Sequence, residues 1–394
     1  MSAPLSPPRF FAAAFTAAGL TLALIWVWVL AMPMAFLDRE YPAWAVKIAM
    51  LHRCALAPVL VVGDSRAAAD IMPARLPVAV SNLAIGGGET IEAYAALRRA
   101  LACPRAPKLV VISLDPGHFM RPDLFWERSV RFGFVEGRDL AGLRRASARL
   151  GDPSLYALRN TDGVPARLRA WLYEVHFPSH YTANLVHGGV FLRLWRNRRV
   201  LARVRAAGGQ YFFGTADRSD IVAEDAALGD FRALPILDFY FDRMLTLLAR
   251  HHVAAVFLAM PVNRATGDAI APALRRGFAA YLAGYAARYP GFHIVAPLFT
   301  AWPDRYFGDG FSHLNPRGAP RLTTRLAACL GQAPARMRCD LAWPARPGGT
   351  IAKAATQPPG SAKPSATGPS LRPGAGDIVL ASGGRAAMTA HAGR

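Results

Sequence analysis

The sequence predicts a three-layer α/β/α domain built on a parallel sheet, with a helical insertion and one N-terminal transmembrane helix. Three observations lead there. Short apolar runs alternate with helix-length patterns between residues 59 and 295, as expected of a parallel sheet covered on both faces. A charge-free stretch long enough to cross a bilayer comes before them. Residues about 120 to 230, between the third and fourth runs, hold helical patterns but no buried strand.

The N-terminal stretch comes first. No charged residue occurs from Phe10 to Leu37, and about 20 apolar residues suffice for a membrane-spanning helix. Arg9 lies on one side, and Asp38, Arg39 and Glu40 lie on the other. Positive charge marks the cytoplasmic side, so residues 1–9 are expected in the cytoplasm. The domain beginning at residue 38 is then periplasmic or extracellular. A cleaved signal peptide is the competing explanation. The run is too long for a signal core and no A-x-A site follows it, so residues 10–37 are expected to persist as a single-pass anchor, bent near Pro33.

Strands are expected at Val59–Val62, Val78–Ala84, Leu109–Leu114, Val253–Met260 and His293–Val295. Helices are expected near Ser65–Met72, Thr90–Leu101, Phe231–His251 and Ala269–Tyr289. In the third helix, Leu237, Phe241, Met244, Leu245 and Leu248 recur on one face. Within the insertion, Ala166–Val175 and Val190–Val204 read as helices rich in arginine and aromatics. Long insertions commonly shape binding sites. Tyr156, Trp171, Tyr173, Phe177, Tyr181 and Trp195 are candidates to line a sugar cleft, a satellite core being their alternative duty. The domain is expected to span 38–342. From residue 343 Ala, Gly, Pro, Ser and Thr dominate, and such a tail cannot bury enough apolar surface to offset its ordering entropy.

Composition narrows the function classes. Lys and Arg number 46 against 26 acidic residues, a net charge of +20. Only Lys47, Lys108, Lys353 and Lys363 are lysines. Coding bias and a surface suited to acidic polymers or anionic headgroups both fit that skew. No zinc-finger spacing, RNP-type motif or basic heptad region points to nucleic acid. His176, His180, His187, His251, His252 and His293 lack metal-ligand spacing, and no C-x-x-C occurs. GDSRAA lacks the dinucleotide-binding glycines, so neither metal nor cofactor is expected. Four cysteines suit an oxidising compartment. Cys54 and Cys103 each precede one of two strands expected side by side, while Cys329 and Cys339 flank the end of the last helix, so pairing 54–103 and 329–339 is preferred.

Two motifs carry chemistry. VLVVGDSRAA (59–68) sets Ser65 where a buried strand turns into a helix. That turn exposes a hydroxyl at the carboxyl edge of the sheet, where open α/β folds bind ligands. Backbone N–H groups at the helix start can face a developing oxyanion. Helix capping by Asp64 or Ser65 is the plainer alternative. FGDGFSHLNPRGA (307–319) sets Asp309 and His313 four apart in a loop before a final helix. A neutral imidazole can take a serine proton, and a carboxylate can fix its tautomer. Local turn and cap hydrogen bonds are the alternative here.

In this order the two blocks resemble the SGNH (GDSL-like) hydrolase superfamily across roughly residues 55 to 330. Ser65 matches its nucleophile and His313 its base. The family's D-x-x-H becomes D-x-x-x-H, so the orienting role falls to Asp309 or to another group. SNLAIGGGET (81–90) is similar to the block that supplies an oxyanion glycine, here Gly87 or Gly88. The block that brings an asparagine reads Ser113-Leu114-Asp115-Pro116-Gly117-His118. Asn263, in Met260-Pro261-Val262-Asn263, is the candidate replacement donor, and His118 a secondary candidate for the site. The single anchor, overall length and late P-V-N segment are similar to one branch, the anchored D-alanyl transfer proteins and periplasmic polysaccharide O-acetyltransferases.

The resemblance implies a flavodoxin-like domain and a serine esterase or acyltransferase. Ser65 would attack an acyl carbonyl, His313 would act as base and then acid, and Asp309 would orient it. N–H groups of Ser65 and Gly87 or Gly88 would hold the oxyanion. The implied partners are a cell-surface polysaccharide and a multi-spanning membrane acyltransferase. The alternative is a non-catalytic accessory protein that binds polysaccharide in the same cleft.

Overall fold

The computed structural model describes residues 6–122, 124–156, 164–178 and 189–344. Tyr181, His180, His187 and the tail from residue 345 lie outside them. Five strands form one parallel sheet: β1 (Val59–Gly63), β2 (Val80–Asn82), β3 (Leu109–Ser113), β4 (Ala254–Leu258) and β6 (Phe292–Val295), in the order β2-β1-β3-β4-β6. A small parallel pair, β5 (Val262–Asn263) with β7 (Ala301–Trp302), lies outside the expected set.

The inner strands β1 and β3 read as nearly unbroken Val, Leu and Ile because both faces are buried. Alternate residues feed two separate cores. Leu60, Val62, Val110, Ile112 and Phe257 pack with helices Thr90–Leu101, Pro235–Arg250 and Pro272–Arg288. Val59, Val61, Val111, Val256 and Leu258 pack with helices Ser65–Asp70 and Gly318–Ala327. Helices therefore cover both faces.

Proline sets most of the boundaries that differ from expectation. Pro235 and Pro272 each open a helix, where a missing N–H costs nothing and the fixed φ already suits the helix. A short helix, Arg264–Ala269, precedes Pro272, with Asn263 as its cap. At the N-terminus the apolar helix runs Pro7–Ala31, is long and apolar enough to cross a membrane, and is unburied over that window. It breaks ahead of Pro33, and Pro33–Phe36 forms a single further turn.

Helix Tyr41–His52 is absent from the sequence expectations. Pro42, Ala43, Trp44, Val46, Lys47 and Leu51 are buried along it, so it shows no one-sided pattern to read. Trp44 packs edge-on against Phe132 and Phe134. The described part of residues 120–230 contains no strand. Its longer helices are Gly137–Leu150, Ala166–Glu174 and Val190–Ala206. After the last of these the chain returns to the sheet edge, where Asn82 N–H of β2 donates to the Gly208 carbonyl at 3.0 Å. Tyr211 N–H then donates to the Ala68 carbonyl of helix Ser65–Asp70 at 2.9 Å. Cysteines pair 54–103 and 329–339, with Cα separations of 5.5 and 5.3 Å.

Gly63 marks the turn out of β1. Its φ is +150°, and an added Cβ would sit 1.8 Å from the Ser113 carbonyl oxygen on β3. Neither backbone can move without breaking the sheet. Gly63→Ala should therefore lose on the order of 3 kcal/mol, seen as a lower urea midpoint. An unchanged midpoint would show that β1 and β3 can separate there.

Candidate active site

Ser65 is presented by a turn whose hydrogen bonds belong to its neighbour. Asp64 caps the helix, one carboxylate oxygen accepting from the N–H of Arg66 (2.9 Å) and Ala67 (3.3 Å). Its other oxygen accepts from Asp115 N–H at 2.8 Å. The capping alternative thus holds for Asp64 and leaves Ser65 uncommitted. Burial pushes the Asp64 carboxyl pKa up. Ser65 is half-buried at the carboxyl edge of the sheet, and neither its hydroxyl nor its N–H is hydrogen-bonded among the described residues.

His313 is held by the loop that contains it. Phe307 and Leu314 form an antiparallel bridge, and Gly308 N–H donates to the His313 carbonyl at 2.9 Å. Asp309 Oδ1 accepts from the N–H of Phe311 (2.9 Å) and His313 (3.3 Å), while Oδ2 lies 2.6 Å from His313 Nδ1. The extra residue in D-x-x-x-H is absorbed at Ser312, whose φ is +61°. Burial raises the Asp309 pKa, but the bond and charge of His313 and the two backbone N–H groups outweigh it and hold the carboxyl below its usual range. Phe213 stacks on the imidazole at 4.7 Å. With Nδ1 engaged, Nε2 remains, buried and without a hydrogen-bond partner among the described residues.

Ser65, Asp309 and His313 line one cavity of about 300 Å³, together with Gly87 and His118. No hydrogen bond joins Ser65 to Nε2 in this structure. Such bonds commonly tighten only when substrate is bound.

The two candidate glycines separate cleanly. Gly88 N–H is spent on the Ile85 carbonyl at 3.0 Å. Gly87 has φ +69° and faces the cavity with its N–H free of bonds among the described residues. Asn263 is a correction. Its side-chain amide donates to the carbonyls of Ser219 (3.1 Å) and Ile221 (2.8 Å), its Oδ1 accepts from Thr266 N–H, and it is fully buried away from the cavity. Capping a helix consumes the amide expected to hold an oxyanion.

After β3, Asp115 caps a short turn by accepting from Gly117 N–H at 2.7 Å. Its Oδ2 lies 3.6 Å from Arg66 Nη1 and 3.4 Å from His118 Nε2. Burial would raise the Asp115 pKa, but His118, Arg66 and the backbone donors hold it down. Asp64, Asp115 and His118 are the one trio among the described residues with donor atoms close enough for a metal. Their oxygens already receive backbone N–H groups, and Arg66 supplies the neutralising cation.

Several contributors left no sequence signal. Glu40, just past the apolar helix, reaches the cavity paired with Arg128 at 3.0 Å. Phe213 and Tyr211 line it, whereas Tyr156, Trp171, Tyr173, Phe177 and Trp195 do not. Lys47 is fully buried, and its ammonium donates to the Ala84 carbonyl ahead of the glycine turn.

Comparison with known proteins returns no match among protein-family models, curated proteins or solved structures.

Burial pushes the Lys47 pKa down from 10.5 to about 7. Between about pH 7 and 10 the unfolded chain keeps a proton that the folded chain has released, so stability rises with pH across that window. From pH 7 to 9 the native chain should gain on the order of 1–2 kcal/mol relative to Lys47→Met, compared by urea midpoints. Parallel pH profiles would show that Lys47 keeps its ordinary affinity for protons.

Proposed function

We propose that this chain is a serine acyltransferase or esterase of the SGNH (GDSL-like) kind, anchored in the cell membrane with its domain in the periplasm or outside the cell. Its substrates would be O-acyl groups, in the simplest case O-acetyl, of a cell-surface polysaccharide. One observation carries this. An imidazole fixed by a carboxylate keeps a buried Nε2 without a partner among the described residues, and its residue lines the same cavity as Ser65, whose hydroxyl is uncommitted. The strand order, 2-1-3-4-5 when only the large sheet is counted, supports a flavodoxin-like three-layer arrangement. Arg39 and Glu40 line the cavity fewer than ten residues past the end of the apolar helix at Ala31, which suits a site working close to a bilayer.

The chemistry follows from the residues. His313 Nε2 takes the Ser65 proton as Oγ attacks the acyl carbonyl carbon. The oxyanion receives the N–H groups of Ser65 and Gly87. The tetrahedral adduct collapses, and the departing alkoxide takes the proton from His313. A sugar hydroxyl or water, deprotonated by His313, then attacks the acyl-serine and restores the enzyme. A sugar acceptor makes the protein a transferase, and water makes it a hydrolase. A multi-spanning membrane acyltransferase is the proposed donor-side partner.

A fluorophosphonate probe should label the native chain, and Ser65→Ala should abolish labelling. A folded native chain that resists the probe would instead favour an accessory polysaccharide-binding role. With p-nitrophenyl acetate and oligosaccharides, acetylated sugar would identify a transferase and free acetate alone a hydrolase. Asp309→Asn should keep the fold but lower kcat on the order of 10³-fold or more, because Nδ1 loses the acceptor that fixes the tautomer. Unchanged turnover would assign the orienting role to another group.

A further inference from the structure

The insertion carries an apolar face that the catalytic cleft does not use. Helix Ala166–Glu174 exposes Leu168 and Trp171, and the start of helix Val190–Ala206 exposes Phe191, Leu192 and Trp195. Phe191 is 77% exposed and Trp195 52%. Each helix thus leaves two or three large apolar groups exposed within about one turn, and such groups mark a surface that meets something apolar.

Their position identifies what they meet. Trp26, inside the apolar N-terminal helix, donates its indole N–H to the Val175 carbonyl at 3.0 Å and packs edge-on against Phe177. Asn197 donates to the carbonyls of Met34 and Leu37, so the residues around it lie where that helix ends. At 1.5 Å per residue, Trp26 stands about 24 Å from Phe10, short of the roughly 30 Å hydrocarbon thickness. Whatever touches Trp26 is therefore at the depth of the outer lipid boundary. Trp is favoured at that depth, and exposed Arg167, Arg196, Arg198 and Arg199 accompany the apolar groups, a combination suited to anionic headgroups. Arg199 lies over the Trp195 ring at 3.4 Å.

We propose that these two helices lie in the outer interface of the bilayer, with Leu168, Trp171, Phe191, Leu192 and Trp195 among the lipids. The insertion thereby becomes a second membrane contact that fixes the tilt of the domain on its anchor. This rests on the single-pass anchor proposed above. It differs from that anchor in requiring immersion of segments about 150 positions further along the chain.

The test uses the full chain in bilayers of phosphatidylethanolamine and phosphatidylglycerol, with nitroxide labels at Trp171→Cys or Trp195→Cys. Leu20→Cys reports the anchor and Ala279→Cys the aqueous face. Collisions with oxygen, which partitions into lipid, are compared with collisions with a water-soluble nickel chelate. Positions 171 and 195 should show at least threefold less nickel access than position 279 and enhanced oxygen access. Water-like readings at 171 and 195 beside a lipid-like Leu20→Cys would overturn the proposal and assign the face to a protein partner. A water-like Leu20→Cys would overturn the anchor and this proposal together. Unlabelled protein gives a second readout: brominated lipid should quench the native chain more than the Trp171→Phe, Trp195→Phe double variant, and equal quenching would also overturn it.

Discussion

The site depends on the docking of one short helix against one loop. Helix Ser65–Asp70 starts with the serine, and its last residue, Asp70, accepts the N–H of Leu314 at 2.9 Å across 244 positions of chain. Arg66 donates to the Phe311 carbonyl at 3.2 Å. Thr323 accepts from Met72 N–H at 3.1 Å and donates to the Asp70 carbonyl at 3.2 Å. These bonds bracket His313 on both sides. Without them the serine and the imidazole would each keep their local geometry and lose each other.

The docking is electrostatically expensive. Asp70 is completely buried, and burial pushes its carboxyl pKa well up. A buried carboxyl without partners is strongly unfavourable, and the N–H of Leu314 and the charge of Arg66 offset part of that cost. Asp64 and Glu92 are likewise buried with raised pKa values. The acidic groups beneath the cleft receive backbone N–H groups or arginine, and Asp309 adds to its backbone donors a direct bond to His313 Nδ1.

The insertion contributes at two places. Its returning segment sets Phe213 on the face of the imidazole, packing the ring whose Nδ1 meets Asp309. Its helices meanwhile lie beside the apolar helix, reached by Trp26 and Asn197. One inserted segment thus connects the packing of the His313 ring to the end of the apolar helix.

The sequence by itself determined what depends on neighbours along the chain. Five apolar-rich runs became the five sheet strands, because strands buried on both faces are drawn mainly from apolar residues. Gly63-Asp64-Ser65 could be read as a strand-to-helix turn, and His313 as the partner histidine, because turn residues and caps act within a few positions. Only the tertiary structure decided which local groups were free. It gave the Gly88 N–H to Ile85 and left that of Gly87, spent the Asn263 amide on two carbonyls, and let a positive φ at Ser312 bring Asp309 to Nδ1. Glu40, Lys47 and Phe213 reach the cavity or its supporting turn from distant segments with no local pattern. The Asn263 amide is spent on carbonyls 44 and 42 positions away, so no window of neighbours could have revealed that it was taken.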